Sequence, residues 1–136
     1  MSLTFVDTLY FIASINPRDQ WHQKALKVGA TLKGDLVTTE AVLIELLNFF
    51  CPYGSELRAK SAAVVYDSLE LPGVQVIEQM RDSFLSALSL YNARQDKSYS
   101  LTDCMSMNTM RELRIADVLT HDHHFTQEGF TILITR

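Results

Sequence analysis

Short apolar runs alternate along the chain with longer segments whose apolar residues recur at helical spacing. The first run, from Leu3 to Val6, ends at Asp7, and the run from Val74 to Ile77 is rich in β-branched residues. Runs of this length and composition are typical of buried strands. The pattern predicts strands at residues 3–6, 35–37, 74–77, 116–119 and 131–134.

The segments between these runs predict helices. Apolar residues recur at helical spacing after Pro17, which suits a first helical turn, and Gly34 follows where this helix should end. Thr38 and Thr39 offer N-caps to the apolar segment that starts at Glu40. The predicted helices cover residues 8–13, 17–32, 40–50, 55–69, 83–92 and 99–113.

The alternation of strands and helices indicates the α/β class. In such chains the sheet is parallel, helices cover both of its faces, and sites open at the carboxyl ends of the strands. We therefore predict a three-layer α/β/α sandwich with a central parallel sheet. A length of 136 residues with 47% hydrophobic content suits one compact domain spanning residues 1–136.

Charge and cysteine content narrow the class of protein further. The net charge of −4 excludes a protein that holds nucleic acid mainly through a strongly basic surface. With only Cys51 and Cys104, no disulfide framework is expected, and reduced thiols favour a cytoplasmic location. Residues 1–14 lack the pattern of a secretory signal, and the longest apolar run, at 41–51, is far shorter than the roughly 20 residues of a membrane helix.

Two carboxylates follow predicted strands. Asp7 comes directly after the first strand, and Asp122 lies just beyond the fourth, two residues after Thr120. Both side chains should project into the crevice beyond the strand ends. Each also has a purely structural explanation, because Asp7 could cap the next helix and Asp122 could stabilise a turn.

Two further acids lie on predicted helices. Asp103 follows Ser100 by three residues, which is the spacing of a capping box at a helix N-terminus. Glu45 interrupts an apolar helix, and with Ala41 and Asn48 it could define a polar stripe that is open to water. Helix capping and solvent exposure explain these two acids about as well as catalysis does.

The positions of the four acids in the alternation favour one shared site. In a doubly wound sheet such positions converge on one crevice, where carboxylates repel by about 3 kcal/mol per pair at roughly 5 Å and an effective dielectric of about 20. Such a cluster needs a cation, and oxygen ligands favour Mg²⁺ or Mn²⁺ over Zn²⁺. Because these ions activate water for in-line attack on phosphorus, the sequence predicts phosphodiester hydrolysis at Asp7, Glu45, Asp103 and Asp122.

Four ordered segments carry a family resemblance that spans nearly the whole chain. They are Phe5-Val6-Asp7-Thr8, Thr38-Thr39 with Val42-Leu43-Ile44-Glu45-Leu46, Ser100-Leu101-Thr102-Asp103, and Thr120-His121-Asp122-His123-His124-Phe125 with Gly129-Phe130. The ordered set resembles the PIN domains, and especially the VapC-like toxin ribonucleases of bacterial and archaeal toxin–antitoxin pairs.

The resemblance implies a PIN-like α/β/α sandwich that cleaves RNA endonucleolytically with a divalent metal. It implies that the same four acids form the metal site, with Ser100 and Thr120 as supporting polar residues. It also implies that Glu45 is the ligand on its helix, while Glu40 favours the helix N-terminus through the dipole. Homodimers, and inhibition by a cognate antitoxin whose peptide covers the acidic site, are further implications.

The histidines and cations near these acids have open roles. His123 and His124 could contact phosphate or face solvent, whereas His22 is interpreted as a packing residue on an amphipathic helix. A zinc site on these histidines would need more histidines from elsewhere in the chain. Four cations could meet RNA phosphates or be solvated charges, and two tyrosines could stack on bases or pack: Arg94, Lys97, Arg111, Arg114, Tyr91 and Tyr99.

Other functions fit the sequence less well. The main alternative is a catalytically silent PIN-like module that binds RNA or protein. A receiver-like signalling domain would have an acceptor aspartate after the third strand, where this chain has Glu78. A haloacid-dehalogenase-type phosphatase would have a second aspartate shortly after Asp7, where this chain has Thr8 and Leu9.

Overall fold

The computed structural model describes residues 2–136, which form one parallel sheet flanked by helices. The strands of this range are β1 Leu3–Val6, β2 Asp35–Thr39, β3 Val74–Ile77, β4 Asp117–Leu119 and β5 Thr131–Ile132. The helices are α1 Thr8–Ile15, α2 His22–Thr31, α3 Glu40–Phe50, α4 Ser55–Glu70, α5 Arg81–Ala93, α6 Leu101–Leu113 and α7 His124–Gln127. This architecture confirms the predicted α/β class and the central parallel sheet.

The strand order places a crevice between β1 and β4. The order is β3-β2-β1-β4-β5, and every neighbouring pair is parallel. The chain therefore winds outward from β1 to β3 and then returns to build the other half of the sheet from β4. Ligand sites of doubly wound sheets lie at such a switch point, beyond the carboxyl ends of the strands.

The three central strands are covered on both faces. Phe5 of β1, Val37 of β2 and Val118 of β4 are completely buried and belong to one continuous core. A strand with two covered faces needs apolar residues at successive positions. The short apolar runs of the sequence have this pattern, which is why the strands were predicted close to their observed positions.

Local hydrogen bonds explain how α3 begins. The Thr39 hydroxyl accepts a 3.1 Å hydrogen bond from the Val42 backbone amide, so Thr39 caps this helix as predicted. Thr38, the other predicted cap, instead donates a 2.8 Å hydrogen bond to the Val6 carbonyl oxygen across the sheet. The two threonines therefore fix both the start of α3 and its position relative to β1.

The predicted start of the second helix at Pro17 is wrong, because α2 begins at His22. The Asn16 side chain accepts a 3.1 Å hydrogen bond from the Arg18 amide, and Asp19 Oδ1 accepts one of 2.8 Å from the Trp21 amide. Such side-chain bonds stabilise turns in competition with a helix. Residues 17–21 consequently form turns that lead Trp21 into α2.

Two predictions near the C-terminus also differ from the structure. The last strand was predicted at 131–134 but covers only Thr131–Ile132, although the Leu133 and Ile134 amides still bond to carbonyl oxygens of Val118 and Thr120. The helix α7 was not predicted, because its four residues are too few for a helical period to be recognised. Its start at His124 lies two residues after Asp122, at the crevice.

Two smaller features agree with the sequence. Cys51 is exposed, Cys104 is buried, and both are free, so the prediction of no disulfide is confirmed. Gly34 has a φ of +95°, and a Cβ there would lie 2.5 Å from the Ser2 carbonyl oxygen, so glycine is required at this turn.

Between residues 2 and 136, no helix has the length and apolarity that crossing a membrane requires.

Candidate active site

Asp7 lies at the crevice, directly after β1, and its side chain is buried. The Thr120 hydroxyl donates a 2.8 Å hydrogen bond to Asp7 Oδ2, and the Asp7 amide donates to the Leu119 carbonyl oxygen at 3.2 Å. Asp7 occupies the N-cap position of α1, yet within the described chain its side chain accepts no capping hydrogen bond. The structure therefore removes the capping explanation for this carboxylate.

The Asp7 carboxyl group is held in an environment that disfavours its charge. Burial raises the pKa of Asp7 from 3.8 to about 7, with further contributions from the negative charges of Asp103, Asp122 and Glu45. The hydrogen bond from Thr120 acts in the opposite direction and lowers this pKa. A carboxyl group with these neighbours would be stabilised in its charged form by a bound cation.

Asp103 caps a helix and also belongs to the crevice. Its amide donates to Ser100 Oγ at 3.0 Å, and its Oδ2 accepts from the Ser100 amide at 3.0 Å, which is the predicted capping box. Burial raises the pKa of Asp103, and the charges of Asp122 and Glu45 raise it further. The capping box thus orients a carboxylate whose own environment is unfavourable for its charge.

Asp122 stabilises a turn and faces the same crevice. Its amide donates to Thr120 Oγ1 at 3.1 Å, and its Oδ1 accepts from the His124 amide at 2.9 Å. The proposed turn role is therefore correct for Asp122, as the capping role is for Asp103. Neither role excludes a site, because in both residues the carboxylate lies beside other acids.

His124 completes a compact group of candidate metal ligands. Its Nδ1 lies 3.5 Å from Asp103 Oδ2 and 3.4 Å from Asp122 Oδ1, and ligand atoms of the three residues lie within 4.8 Å of one another. This Nδ1 is buried and has no hydrogen-bond partner among residues 2–136. The Tyr99 ring packs edge-on against the imidazole, with centroids 5.3 Å apart, and holds it in this orientation.

Sequence reasoning left His124 undecided between contact with phosphate and exposure to solvent. The structure instead turns its Nδ1 toward two carboxylates. The only sequence signal was its position two residues after Asp122, which has no meaning until α7 is known to begin there. Its inward orientation depends on Tyr99, which is distant in the sequence.

Glu45 and Glu40 have different surroundings. Glu45 is half-buried on α3, and its charge raises the pKa of Asp7 and of Asp103, although it lies outside the compact ligand group. It lines a cavity of about 270 Å³ between α3 and α6. Glu40 Oε1 instead accepts a 2.6 Å hydrogen bond from the Gln79 amide. The structure thus couples Glu45 to the other acids and gives Glu40 a structural contact.

Arg94 and Arg111 are ion-paired with an acid that the sequence did not indicate. Glu128, whose side chain is only 6% exposed, accepts from Arg94 Nε at 2.9 Å, from Arg111 at 2.6 Å and from the Tyr99 hydroxyl at 2.8 Å. These contacts, above all the one to Arg94, lower the pKa of Glu128 to about 2. Both arginines are therefore ion-paired and not simply solvated, although their side chains remain 37% and 41% exposed. Their contact with RNA stays a prediction.

The remaining predicted side chains mostly pack. Tyr99 is buried, and burial together with its bond to Glu128 raises its pKa to about 12. His22 is partly buried, with Nδ1 2.7 Å from the Ala13 carbonyl oxygen, in agreement with its interpretation as a packing residue. Tyr91 is exposed on α5.

The donor set of the crevice fits a divalent cation. Burial and the charges of neighbouring acids raise the pKa of Asp7 and of Asp103. Together with Glu45 and Asp122 they offer the oxygen ligands that Mg²⁺ and Mn²⁺ prefer. The buried Nδ1 of His124, which faces Asp103 and Asp122 without a well-aligned hydrogen bond, is a further candidate ligand atom. Buried polar atoms without partners are rare, and a bound ion is one way in which they are satisfied.

Three solved structures that resemble this chain are described as a toxin, a toxin–antitoxin complex and a DNA-bound VapBC complex. The VapC20 toxin of Mycobacterium tuberculosis, described as cleaving the sarcin–ricin loop, is 25% identical, with a TM-score of 0.85 and 99% of each chain covered. A Klebsiella pneumoniae toxin–antitoxin complex is 13% identical, with a TM-score of 0.66 and coverage of 96% of this chain and 95% of that chain. DNA-bound VapBC from Salmonella typhimurium is 15% identical, with a TM-score of 0.62 and 98% of each chain covered.

Sequence comparison identifies the family. No curated protein gives a significant match to the chain as a whole. The family model described as the PIN domain, however, matches residues 4–130, a range that contains β4, α6 and all four acids of the crevice. The resemblance seen in the four ordered segments is thereby confirmed, and the chain belongs to the PIN domain family.

Proposed function

We propose that this chain is a divalent-metal-dependent endoribonuclease and the toxin of a toxin–antitoxin pair. The observation that carries the proposal is the set of four electrostatically coupled carboxylates, Asp7, Glu45, Asp103 and Asp122, at the switch point of the sheet. A nuclease needs such a cluster, whereas a binding module gains nothing from acids that destabilise one another. This is why catalysis is preferred to the catalytically silent alternative.

The same four residues would hold the cation, with His124 as an additional donor. When bound, Mg²⁺ or Mn²⁺ would supply an activated water and neutralise charge on the phosphate oxygens. The protein's part is to keep the carboxylates in place. Thr120 orients Asp7 and Asp122 through one hydroxyl, and Ser100 orients Asp103 through the capping box.

Two findings support RNA as the proposed substrate: membership of the PIN domain family and similarity over the full length to one solved toxin structure. The VapC20 toxin is described as cleaving the sarcin–ricin loop, and the likeness covers 99% of both chains. The complexes from Klebsiella pneumoniae and Salmonella typhimurium support an antitoxin as a protein partner. An RNA substrate and two free thiols accord with action in the cytoplasm.

A homodimer is proposed through the exposed face of α5. Phe84, Leu88 and Tyr91 follow one another at helical spacing and are 39–51% exposed, which makes an apolar stripe. Exposed apolar stripes mark contact surfaces. Light scattering should give the mass of two chains, and Leu88→Lys should convert the protein to monomers. A monomeric wild-type protein at micromolar concentration would contradict the dimer without affecting the nuclease proposal.

The decisive experiment is cleavage of a labelled RNA pool that includes the sarcin–ricin loop. Purified protein should cut with Mg²⁺ or Mn²⁺, and cutting should stop with EDTA and with Asp7→Asn. Asp67→Asn, an exposed aspartate on α4, is the matched control and should cut normally. Cation binding without cleavage of any RNA would reject the enzyme and favour a binding module.

A further inference from the structure

A groove beside the acidic crevice combines positive charge with an aromatic surface. It has a volume of about 800 Å³ and runs along α2, where Trp21, Lys24 and Lys27 line it together with Arg136. The rest of its lining is uncharged, so within the described range no acidic side chain faces this groove. The charge is opposite to the net charge of −4 and to that of the crevice.

An aromatic stack connects this groove to the crevice. The Trp21 and His121 rings are stacked, with centroids 4.6 Å apart and 10° between their planes. The Arg136 guanidinium carbon lies over the indole, 5.4 Å from its centroid. His121 directly precedes Asp122, and successive Cα atoms are about 3.8 Å apart. Trp21, which lines the groove, therefore stacks on the residue that precedes a proposed metal ligand.

We propose that this groove binds the single-stranded segment of RNA next to the scissile phosphate, an inference that rests on the proposed nuclease function. Lys24, Lys27 and Arg136 neutralise backbone phosphates there, and a base that displaces the Arg136 guanidinium from the indole can stack on the Trp21–His121 pair. An unpaired strand fits better than a duplex, because only unpaired bases are free to stack on a protein. The groove thus supplies the positive charge that the acidic crevice cannot.

An acidic peptide is the alternative occupant of this groove. It would meet the same three cations, but it has no base to place on the indole and imidazole rings. Continuity with the crevice also favours RNA, because a strand whose phosphate reaches the carboxylates must leave the crevice along its rim. Titration with polyglutamate and with RNA separates the two occupants.

The single tryptophan of the chain makes the proposal directly measurable. Asp7→Asn protein, which should bind RNA without cutting it, is titrated with a random single-stranded RNA of about 20 nucleotides while Trp21 fluorescence is recorded. We expect saturable, salt-dependent quenching. Lys24→Gln/Lys27→Gln should weaken binding at least about tenfold and reduce the salt slope by about 1.4, since each phosphate contact of a single strand contributes about 0.7.

Lys33→Gln/Lys60→Gln is the matched control, because it removes the same charge from exposed lysines outside the groove. Equal loss of RNA binding in both double variants would reject the groove proposal and show that RNA affinity depends only on the overall charge of the protein. If the wild type cleaves RNA but Lys24→Gln/Lys27→Gln binds RNA with the wild-type affinity and the same Trp21 quenching, the groove proposal is rejected and the nuclease proposal stands. Quenching by polyglutamate but not by RNA would assign the groove to an acidic peptide. Neither binding nor cleavage of RNA would overturn both proposals.

Discussion

The Thr120 hydroxyl donates a 2.8 Å hydrogen bond to Asp7 Oδ2, although 113 residues separate the two in the chain. The same hydroxyl oxygen accepts a 3.1 Å hydrogen bond from the Asp122 amide. One buried side chain at the end of β4 therefore positions two acids of the crevice. Asp7 and Asp122 depend on Thr120 for their geometry as much as on the strands.

Thr120→Val should separate this hydrogen bond from packing, because valine has nearly the same shape. We expect the free energy of unfolding to fall by about 1–3 kcal/mol, since Asp7 loses its donor and the Asp122 amide its acceptor. Mn²⁺ affinity, measured by calorimetry, should fall as well. Thr120→Ser keeps the hydroxyl and should bind Mn²⁺ like the wild type, with only the small loss of stability expected for one buried methyl group. Unchanged affinity in Thr120→Val would show that Thr120 does not position the acids.

The raised pKa of Asp7 predicts a pH dependence of stability. Without metal, the unfolded state releases this proton near pH 4 and the folded state near pH 7, so the folded state binds more protons in between. The free energy of unfolding should therefore fall as pH rises from about 4 to about 7, by up to roughly 4 kcal/mol. Thermal unfolding in EDTA should show the fall, and Mg²⁺ should reverse it.

Asp7→Asn is the control for this dependence, because asparagine does not titrate. In EDTA above pH 7 the variant should melt at a higher temperature than the wild type, and Mg²⁺ should stabilise it much less. Burial also raises the pKa of Asp103, so a smaller dependence of the same sign should persist in the variant. An identical pH dependence in variant and wild type would show that folding does not raise the pKa of Asp7.

Glu45→Gln and Glu40→Gln form a matched pair on α3. Glu45 is coupled to Asp7 and Asp103, so its variant should weaken Mn²⁺ binding and cleavage by at least about tenfold. Glu40 bonds to the Gln79 amide, so its variant should lose about 1 kcal/mol of stability and keep both activities. The reverse result would identify Glu40 as the ligand.

His124→Phe should change the metal preference of the crevice. Imidazole nitrogen favours transition metals over Mg²⁺, so its loss should lower the ratio of Mn²⁺ to Mg²⁺ affinity several-fold. Phenylalanine can still pack against the Tyr99 ring. His123→Phe, at an exposed position, is the control for a general effect on this segment. Equal losses for both metals would mean that His124 supports the carboxylates without ligating the ion.

Glu128→Gln should destabilise the fold outside the crevice by about 1–2 kcal/mol, because charge-assisted hydrogen bonds to the part-exposed Arg94 and Arg111 become neutral ones. The pKa of Glu128 is lowered from 4.5 to about 2. Its contribution to stability is therefore complete above about pH 5 and is lost as the pH falls from 4.5 to about 2. Urea unfolding at pH 7 and at pH 3 should show a smaller difference between variant and wild type at low pH. Glu112→Gln, an exposed acid on α6, should show none.

The sequence determined the features that depend on near neighbours. The strands follow from apolar runs covered on two faces, the alternation gave the α/β class, and the Ser100–Asp103 capping box is complete within four residues. The start of α2 is an exception, because it also depends on near neighbours but was mispredicted. The side chains of Asn16 and Asp19 stabilise turns that an apolar period does not reveal.

Only the tertiary structure decided which of these groups meet. The Thr120–Asp7 bond, the inward orientation of His124 and the pairing of Glu128 with Arg94 each join parts of the chain that no sequence pattern connects. From the sequence alone, Glu45 could be a solvated acid. The packing of α3 shows that its charge lies close enough to Asp7 to raise the pKa of that residue. Hydrophobic periodicity records which face of an element is buried, whereas distances between side chains depend on how the elements pack, and that depends on the whole core at once.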